Sequence, residues 1–275
     1  MRRRRCWLTQ TYDKLYDDTL VRCDVMLDVE RGDAVTTFAV IDLETTGLDP
    51  AVDRVVEAAS VRVNGDIDSV VSKNSWMTAR AYRSSMYDPG RGIPAEASAV
   101  HHLIAADVFG CEAFGPEAWS WLTDGIDVMV AHNTAFDRAF VPWERRPWIC
   151  TWKAALRVWP DAPGHSNQVL RYHLPGVNEV VTRALPADLA PHRAAYDAIT
   201  TAHLLIELLK VMSPSHLVAL TDKPALLPRV TFGKHRGQRW AEVPRDYLEW
   251  VLRQTGAFDE NVRYTAHHYL AGATR

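Results

Sequence analysis

Residues 38–48 read Phe38-Ala39-Val40-Ile41-Asp42-Leu43-Glu44-Thr45-Thr46-Gly47-Leu48, an apolar run with acids at two alternate positions and a glycine after it. The run predicts a strand over 38–43. Successive strand side chains point to opposite faces, and residues two apart sit about 6–7 Å from each other on one face. Asp42 and Glu44 therefore project together, while Ile41 and Leu43 face the other way. Two carboxylates at the end of an apolar strand are unfavourable unless cations or hydrogen bonds compensate them. An isolated pair of this kind is ordinarily two strand-end acids beside arginines, so its meaning depends on what the rest of the chain brings to it.

Working outward, residues 55–63 form a second β-branch-rich run ending at Asn64-Gly65, a hairpin signal, so two paired strands are predicted. Further strands are expected over 70–76 and 127–131. Helical spacing is found over 118–122, 136–143, 151–159 and 194–209, the last with Ile199, Ala202, Ile206 and Leu209 on one stripe. Strands first and helices interleaved later predict an α/β domain over 38–211, with a central mixed sheet flanked by helices. Pro214, Pro224 and Pro228 bracket a stretch of little periodicity, which predicts a linker over 212–228. A small, mainly helical domain is expected over 229–275, with Tyr247, Trp250 and Val251 at helical spacing. Residues 1–37 open with Arg2–Arg5 and then scatter aspartates, so they read as a poorly ordered extension, with an arginine arm touching phosphates as the alternative.

The 275 residues are 47% hydrophobic and 24% charged, which excludes disordered and collagen-like classes. The net charge of −3 argues against a uniformly basic nucleic-acid binder. That average hides an asymmetry: residues 224–275 carry 8 Lys and Arg against 5 Asp and Glu, leaving 23 against 29 for the remainder. A mildly basic tail follows an acidic body. Cys6, Cys23, Cys111 and Cys150 form no CxxC pair, so neither a zinc knuckle nor a disulfide framework is suggested. With no apolar run near the roughly 20 residues that cross a bilayer, a soluble cytoplasmic protein without a membrane partner is expected.

Two segments supply partners for the acidic pair. In Ala131-His132-Asn133-Thr134-Ala135-Phe136-Asp137, a short strand runs through a turn into a helix that presents Asp137 early. In His192-Arg193-Ala194-Ala195-Tyr196-Asp197, the last acid stands near the start of the long helix. Five residues on a continuous helix would set His192 and Asp197 about 140° apart, unable to serve one site. Pro191 instead suggests that His192 lies in the loop feeding the helix, leaning over a pocket whose wall carries Asp197. Each segment alone also reads plainly, as turn, cap and loop residues with Asp197 a favourable charge near a helix N-terminus.

Taken jointly, Asp42, Glu44, Asp137 and Asp197, with His192 five before the last, resemble the DEDDh family of 3′→5′ exonucleases over residues 38–209. That resemblance implies a DnaQ-like, RNase H-like fold. The tyrosine subclass would place Tyr where Arg193 stands, so the histidine subclass is indicated. Residues 148–160, with Ser166, Asn167 and Leu170, resemble the exodeoxyribonuclease X branch, and so does the tail from Phe232-Gly233-Lys234-His235-Arg236-Gly237 to Trp250, which is similar to its C-terminal domain.

The resemblance implies metal-dependent phosphodiester hydrolysis with two Mg²⁺ ions, Mn²⁺ being a substitute, since all-oxygen ligation favours these over zinc. It implies that Asp42 bridges both ions, that Glu44 and Asp197 complete the nucleophile-side ion, and that Asp137 holds the other partly through water. His192 becomes the general base, a task suited to imidazole near neutral pH. Thr45, Thr46, Leu48, His101 and Asn133 fall at positions that cradle the terminal nucleotide. In the tail, Lys234 and Arg236 lie between two glycines with Arg239 close behind, a set suited to contacting DNA phosphates. The expected activity is a 3′→5′ exodeoxyribonuclease that releases nucleoside 5′-monophosphates from DNA 3′ ends, preferably single-stranded, in repair or proofreading. An exoribonuclease on the same scaffold is the alternative, because sugar discrimination needs contacts at the 2′ position. A non-catalytic, polymerase-associated binding module fits less well, because all five positions are filled.

Overall fold

The computed structural model describes residues 7–8, 36–64 and 82–272. The expected disorder of the extension, Cys6, Cys23 and the strand over 70–76 therefore lie outside the described residues, apart from β1 at Trp7–Leu8 and the last two positions of the extension.

The sheet comprises β1, β2 (Thr37–Thr45), β3 (Val55–Asn64), β4 (Tyr82–Met86), β5 (Val128–Ala131) and β6 (Trp148–Cys150), in the order β1-β4-β3-β2-β5-β6. Strands β1, β4, β3 and β2 pair antiparallel, whereas β2, β5 and β6 run parallel, so the sheet is mixed. The helices are α1 (Ala95–His101), α2 (Ala105–Val108), α3 (Pro116–Leu122), α4 (Thr134–Phe140), α5 (Thr151–Val158), α6 (Asn167–His173), α7 (Val177–Ala184), α8 (Ala194–Leu209), α9 (Pro214–Thr221), α10 (Arg245–Arg253) and α11 (Glu260–Gly272).

The central strand β2 separates two cores. Phe38 and Val40 pack with Ala59, Val61 and the α8 residues Ala195, Ala198, Ile199 and Ala202 on one face. Ala39, Ile41 and Leu43 pack with Trp119, Leu122 and Trp148 on the other. Alanines at four α8 positions keep that helix thin where it meets the sheet, so its backbone lies close to β2 and β3.

The segment 212–228, expected as a linker, instead contains α9, with Ser213 as N-cap and Pro214 in its first turn. Leu217 on α9 is 0% exposed in the core, and Thr221 Oγ1 accepts a 2.7 Å hydrogen bond from the buried Cys150 amide at the end of β6. Pro214 reads as a helix breaker in sequence, yet at the first helical turn its missing N–H costs no hydrogen bond. After α9, Trp240, Val243, Tyr247, Leu248, Val251, Val262 and Ala266 form a separate small core. Among the described residues, no single helix is long and apolar enough to cross a membrane.

Candidate active site

The site begins where the α8-facing side of β2 turns from apolar to acidic. Phe38 and Val40 point toward α8, and the next positions on that face are Asp42 and Glu44. Because α8 starts at Ala194, Asp197 sits in its first turn, where the exposed amides favour negative charge. One carboxylate oxygen from each of Asp42, Glu44 and Asp197 lies within 4.8 Å of the others. Asp137, 3% exposed on α4, stands beside this trio, its carboxylate against the amide of Leu43 and its own amide. Strand β5 pairs with β2 only from Phe38 to Val40, so the later stretch of β2 is paired on the β3 side alone, and the amide of Leu43 is met by Asp137 of α4.

Burial and mutual repulsion dominate the electrostatics. Burial first, then the charges of Glu44, Asp197 and Asp137, hold the Asp42 carboxyl well above the usual carboxylate range. Burial, with Asp197, Glu57 and Asp137 adding to it, pushes Glu44 up to about 9. Burial raises Asp137 to about 8 against its two backbone hydrogen bonds. Asp197 is also raised by burial, against His192 and two donors. A crowded, oxygen-only set of acids that resists ionisation fits a hard divalent cation, whose charge inverts this local balance.

Asp197 is held by hydrogen bonds at both oxygens: Gln168 Nε2 donates to Oδ1 at 3.2 Å and the His192 amide donates to Oδ2 at 3.0 Å. His192 lies outside the helix, its side chain 60% exposed, with backbone φ of 60° and Nδ1 3.9 Å from Asp197 Oδ2. Thus the predicted His192, Asp42, Glu44 and Asp197 come together, with Asp137 adjacent.

The residues expected to cradle a nucleotide differ in accessibility. Leu48 is 83% exposed on the turn after β2. Thr45 and Thr46 are buried and direct their hydroxyls to Gly47 O (2.5 Å) and Asp53 Oδ1 (2.9 Å), shaping that turn. A Cβ on Gly47 would lie 2.4 Å from Asp53 Oδ2, so the close approach requires glycine. Asn133 is exposed in the left-handed region (φ 71°) at the N-cap of α4, its side chain making no capping bond. His101 is 1% exposed, its Nδ1 accepting from the Leu103 amide at 3.0 Å and its Nε2 buried near the Thr45 carbonyl without a well-formed hydrogen bond. It therefore supports the turn from beneath.

In the C-terminal domain, Lys234 Nζ sits 5.4 Å from the Tyr247 ring centre and Arg236 is exposed. Arg239, by contrast, joins Arg229 on Asp161 of the exonuclease portion.

Sequence reasoning missed Glu57 and Gln168. Glu57, 2% exposed on β3, is directly opposite Glu44 and bound by Arg193. An acid inside the apolar run Val55-Val56-Glu57-Ala58-Ala59 was a usable signal, of the same kind as Asp42. Gln168 carries no such signal, since an isolated amide on a short helix is unremarkable.

A mixed sheet whose central strand presents two acids to a third on the long helix α8 packed against it, with a fourth beside them, defines a nuclease of RNase H-like fold. Residues 39–205 match the RNase_T family, described as Exonuclease, and the chain belongs to that family. It is 35% identical over 242 residues to Exodeoxyribonuclease 10 of Escherichia coli (strain K12), covering 84% of this chain and 97% of that protein. Over 209 residues it is 26% identical to DNA polymerase III PolC-type of Thermotoga maritima, covering 74% of this chain and 14% of the polymerase. A solved structure of exonuclease X in complex with 5′ overhanging duplex DNA aligns with TM-score 0.52 and 32% identity, covering 67% of this chain and 99% of that one. The family is divalent-metal dependent, in keeping with the acidic cluster.

Proposed function

We propose that this chain is a cytoplasmic 3′→5′ exodeoxyribonuclease that uses two Mg²⁺ ions, or Mn²⁺ in their place, to remove nucleoside 5′-monophosphates from single-stranded DNA 3′ ends in repair or proofreading. The observation that carries the reading is the approach of Asp42, Glu44 and Asp197 to within 4.8 Å, with an exposed histidine beside Asp197. Asp42, Glu44 and Asp197 would hold one cation, with Asp42 shared and Asp137 serving the second. When bound, the cations would offset the charge of the scissile phosphate and lower the pKa of water so that it gives up a proton more readily.

The chain's own groups do the rest. Gln168 and the His192 amide fix the Asp197 carboxylate, so that ligand does not reorient between turnovers. With Nδ1 turned toward Asp197, His192 Nε2 is the nitrogen placed to take the proton of the attacking water. The water oxygen bonds to phosphorus as the P–O3′ bond breaks, leaving a shortened strand and a nucleoside 5′-monophosphate. Leu48, on the turn shaped by Thr45, Thr46 and His101, and Asn133, at the N-cap of α4, offer exposed groups to the terminal nucleotide.

Lys234 and Arg236 supply positive charge beside the ring pairs Tyr247–Trp250 and Phe232–Phe258, a combination suited to phosphates and unstacked bases. Arg239 pairs with Asp161 while keeping 46% of its side chain exposed, so it too is open to a phosphate. DNA rather than RNA is supported by the names of the relatives.

Digesting 5′-labelled single-stranded DNA, overhanging duplex and RNA in parallel, with Mg²⁺, Mn²⁺ or EDTA, tests this reading. The expected result is a metal-dependent ladder shortening from the 3′ end of DNA, fastest on single strands, and no ladder in EDTA. Faster digestion of RNA would make the chain an exoribonuclease, and no digestion of either would make it a binding module.

A further inference from the structure

We propose that the ion pair between the buried Glu57 and the partly exposed Arg193 is the positioning element that holds His192 over the carboxylates, setting turnover without contributing to cation binding. The inference rests on the nuclease reading given above.

Glu57 is placed to be a fifth acid of the site, since it pairs directly with Glu44 across β2 and β3 and is 2% exposed. It is already fully engaged. Arg193 Nε donates to Oε2 at 2.9 Å, Arg193 Nη2 to Oε1 at 2.7 Å, and the Ala194 amide to Oε2 at 3.0 Å. Both oxygens are thus occupied by a planar fork and a helix amide, a geometry that guanidinium makes and ammonium does not. This separates Glu57 from Asp42, Glu44 and Asp197, which among the described residues have no guanidinium bound to them.

The pair also fixes where α8 begins. Its N-cap residue, Arg193, makes no side-chain capping bond, and Ala194 is the first helical residue. Glu57 meets the first of the helix-start amides that have no intrahelical partner, from a strand 137 residues earlier. His192 immediately precedes this anchor in the left-handed region, which is unfavourable for a residue with a Cβ. Such a conformation persists only when both sides are fixed. On one side stands the fork from Arg193 to Glu57; on the other, the His192 amide donates to Asp197. Losing the fork frees His192 to relax toward extended backbone, carrying its imidazole away from the attacking water.

Two variants test this in the full chain. Arg193→Lys keeps the charge and loses the fork; Glu57→Gln with Arg193→Met removes both charges, leaves no bare buried carboxylate and keeps an acceptor for Ala194. Each is compared with wild type by steady-state digestion of single-stranded DNA, by Mn²⁺ calorimetry and by amide hydrogen exchange at His192 and Ala194.

The expected result is a fall in kcat of about 10- to 100-fold in both variants, the scale of a 1 Å misplacement of a reacting group, with KM and Mn²⁺ affinity each within about threefold of wild type. Exchange at the two amides rises about tenfold or more in both variants, the mark of a locally opened anchor. Wild-type kcat, a loss of Mn²⁺ affinity proportional to the loss of kcat, or unchanged exchange would each overturn the proposal. A wild-type chain that digests nothing would refute the nuclease reading alone, and the exchange comparison would still decide whether the pair anchors His192.

Discussion

The backbone amide of His192 donates to Oδ2 of Asp197 at 3.0 Å, and the imidazole Nδ1 of the same histidine stands 3.9 Å from that same oxygen. One carboxylate therefore holds the backbone of His192 by a hydrogen bond and stands near its exposed ring. The arrangement depends on α8 starting at Ala194, because a helix continuous through His192 would turn the two side chains about 140° apart.

Removal of the base and removal of a metal ligand should be separable. His192→Ala should keep Mn²⁺ binding within about threefold and lose roughly 10²- to 10⁴-fold in kcat, the usual range for a positioned general base. Asp42→Ala should lose both activity and Mn²⁺ binding. Calorimetry on the two variants beside a digestion assay checks this, and identical Mn²⁺ isotherms would contradict the division of roles.

The acidic cluster also predicts how the metal-free chain responds to pH. Glu44 and Asp137 are pushed up to about 9 and about 8 in the fold, while in the unfolded chain they release their protons near pH 4. Between these limits the unfolded state binds fewer protons than the native state, so stability falls as pH rises. In EDTA, the contribution of these groups should lower Tm from pH 5 toward pH 8. Added Mg²⁺ should raise Tm more at pH 8 than at pH 5, because the ligands must ionise to bind it. Thermal melts in the four conditions decide it; an equal Mg²⁺ effect at both pH values would count against cation binding by these acids.

If the C-terminal domain holds DNA through Lys234 and Arg236, changing both to Glu should weaken binding to an oligonucleotide. It should also reduce the dependence of log Kd on log salt by about 0.7 per lost phosphate contact on single strands. Fluorescence anisotropy titrations at two salt concentrations measure it. An unchanged affinity and slope would confine DNA binding to the exonuclease portion.

The helix in the supposed linker makes a prediction of its own. Thr221→Val leaves the buried Cys150 amide without its acceptor, at a loss of about 1–3 kcal/mol. Chemical denaturation should register it as a lower midpoint with little change in slope. Wild-type stability would mean that the amide finds another partner.

What could be read before the structure was what repeats along the chain. Alternation placed Asp42 and Glu44 on one face, and the helical period of Ile199, Ala202, Ile206 and Leu209 marked a helix whose bounds are Ala194–Leu209. Strand β4, too short for a period, was missed, its Tyr82-Arg83-Ser84-Ser85-Met86 gaining strand character from pairing with β3, and so was α9, whose Pro214 reads as a breaker. The depth of a residue was equally hidden. His101, expected at the substrate face, is 1% exposed, and the ion pair of Arg239 with Asp161 could not be foreseen from either residue's neighbours. Contacts between distant segments, such as Glu57 with Arg193 or Gln168 with Asp197, leave no local trace at all.

The central claim is that Asp42, Glu44 and Asp197 share a cation beside Asp137 and His192. Anomalous diffraction from crystals soaked in Mn²⁺ tests it most directly. The account predicts a peak within about 2.0–2.6 Å of oxygens from Asp42, Glu44 and Asp197, the distances of oxygen-ligated divalent ions. Bound Mn²⁺ only elsewhere on the molecule, with these three acids facing apart, would contradict it.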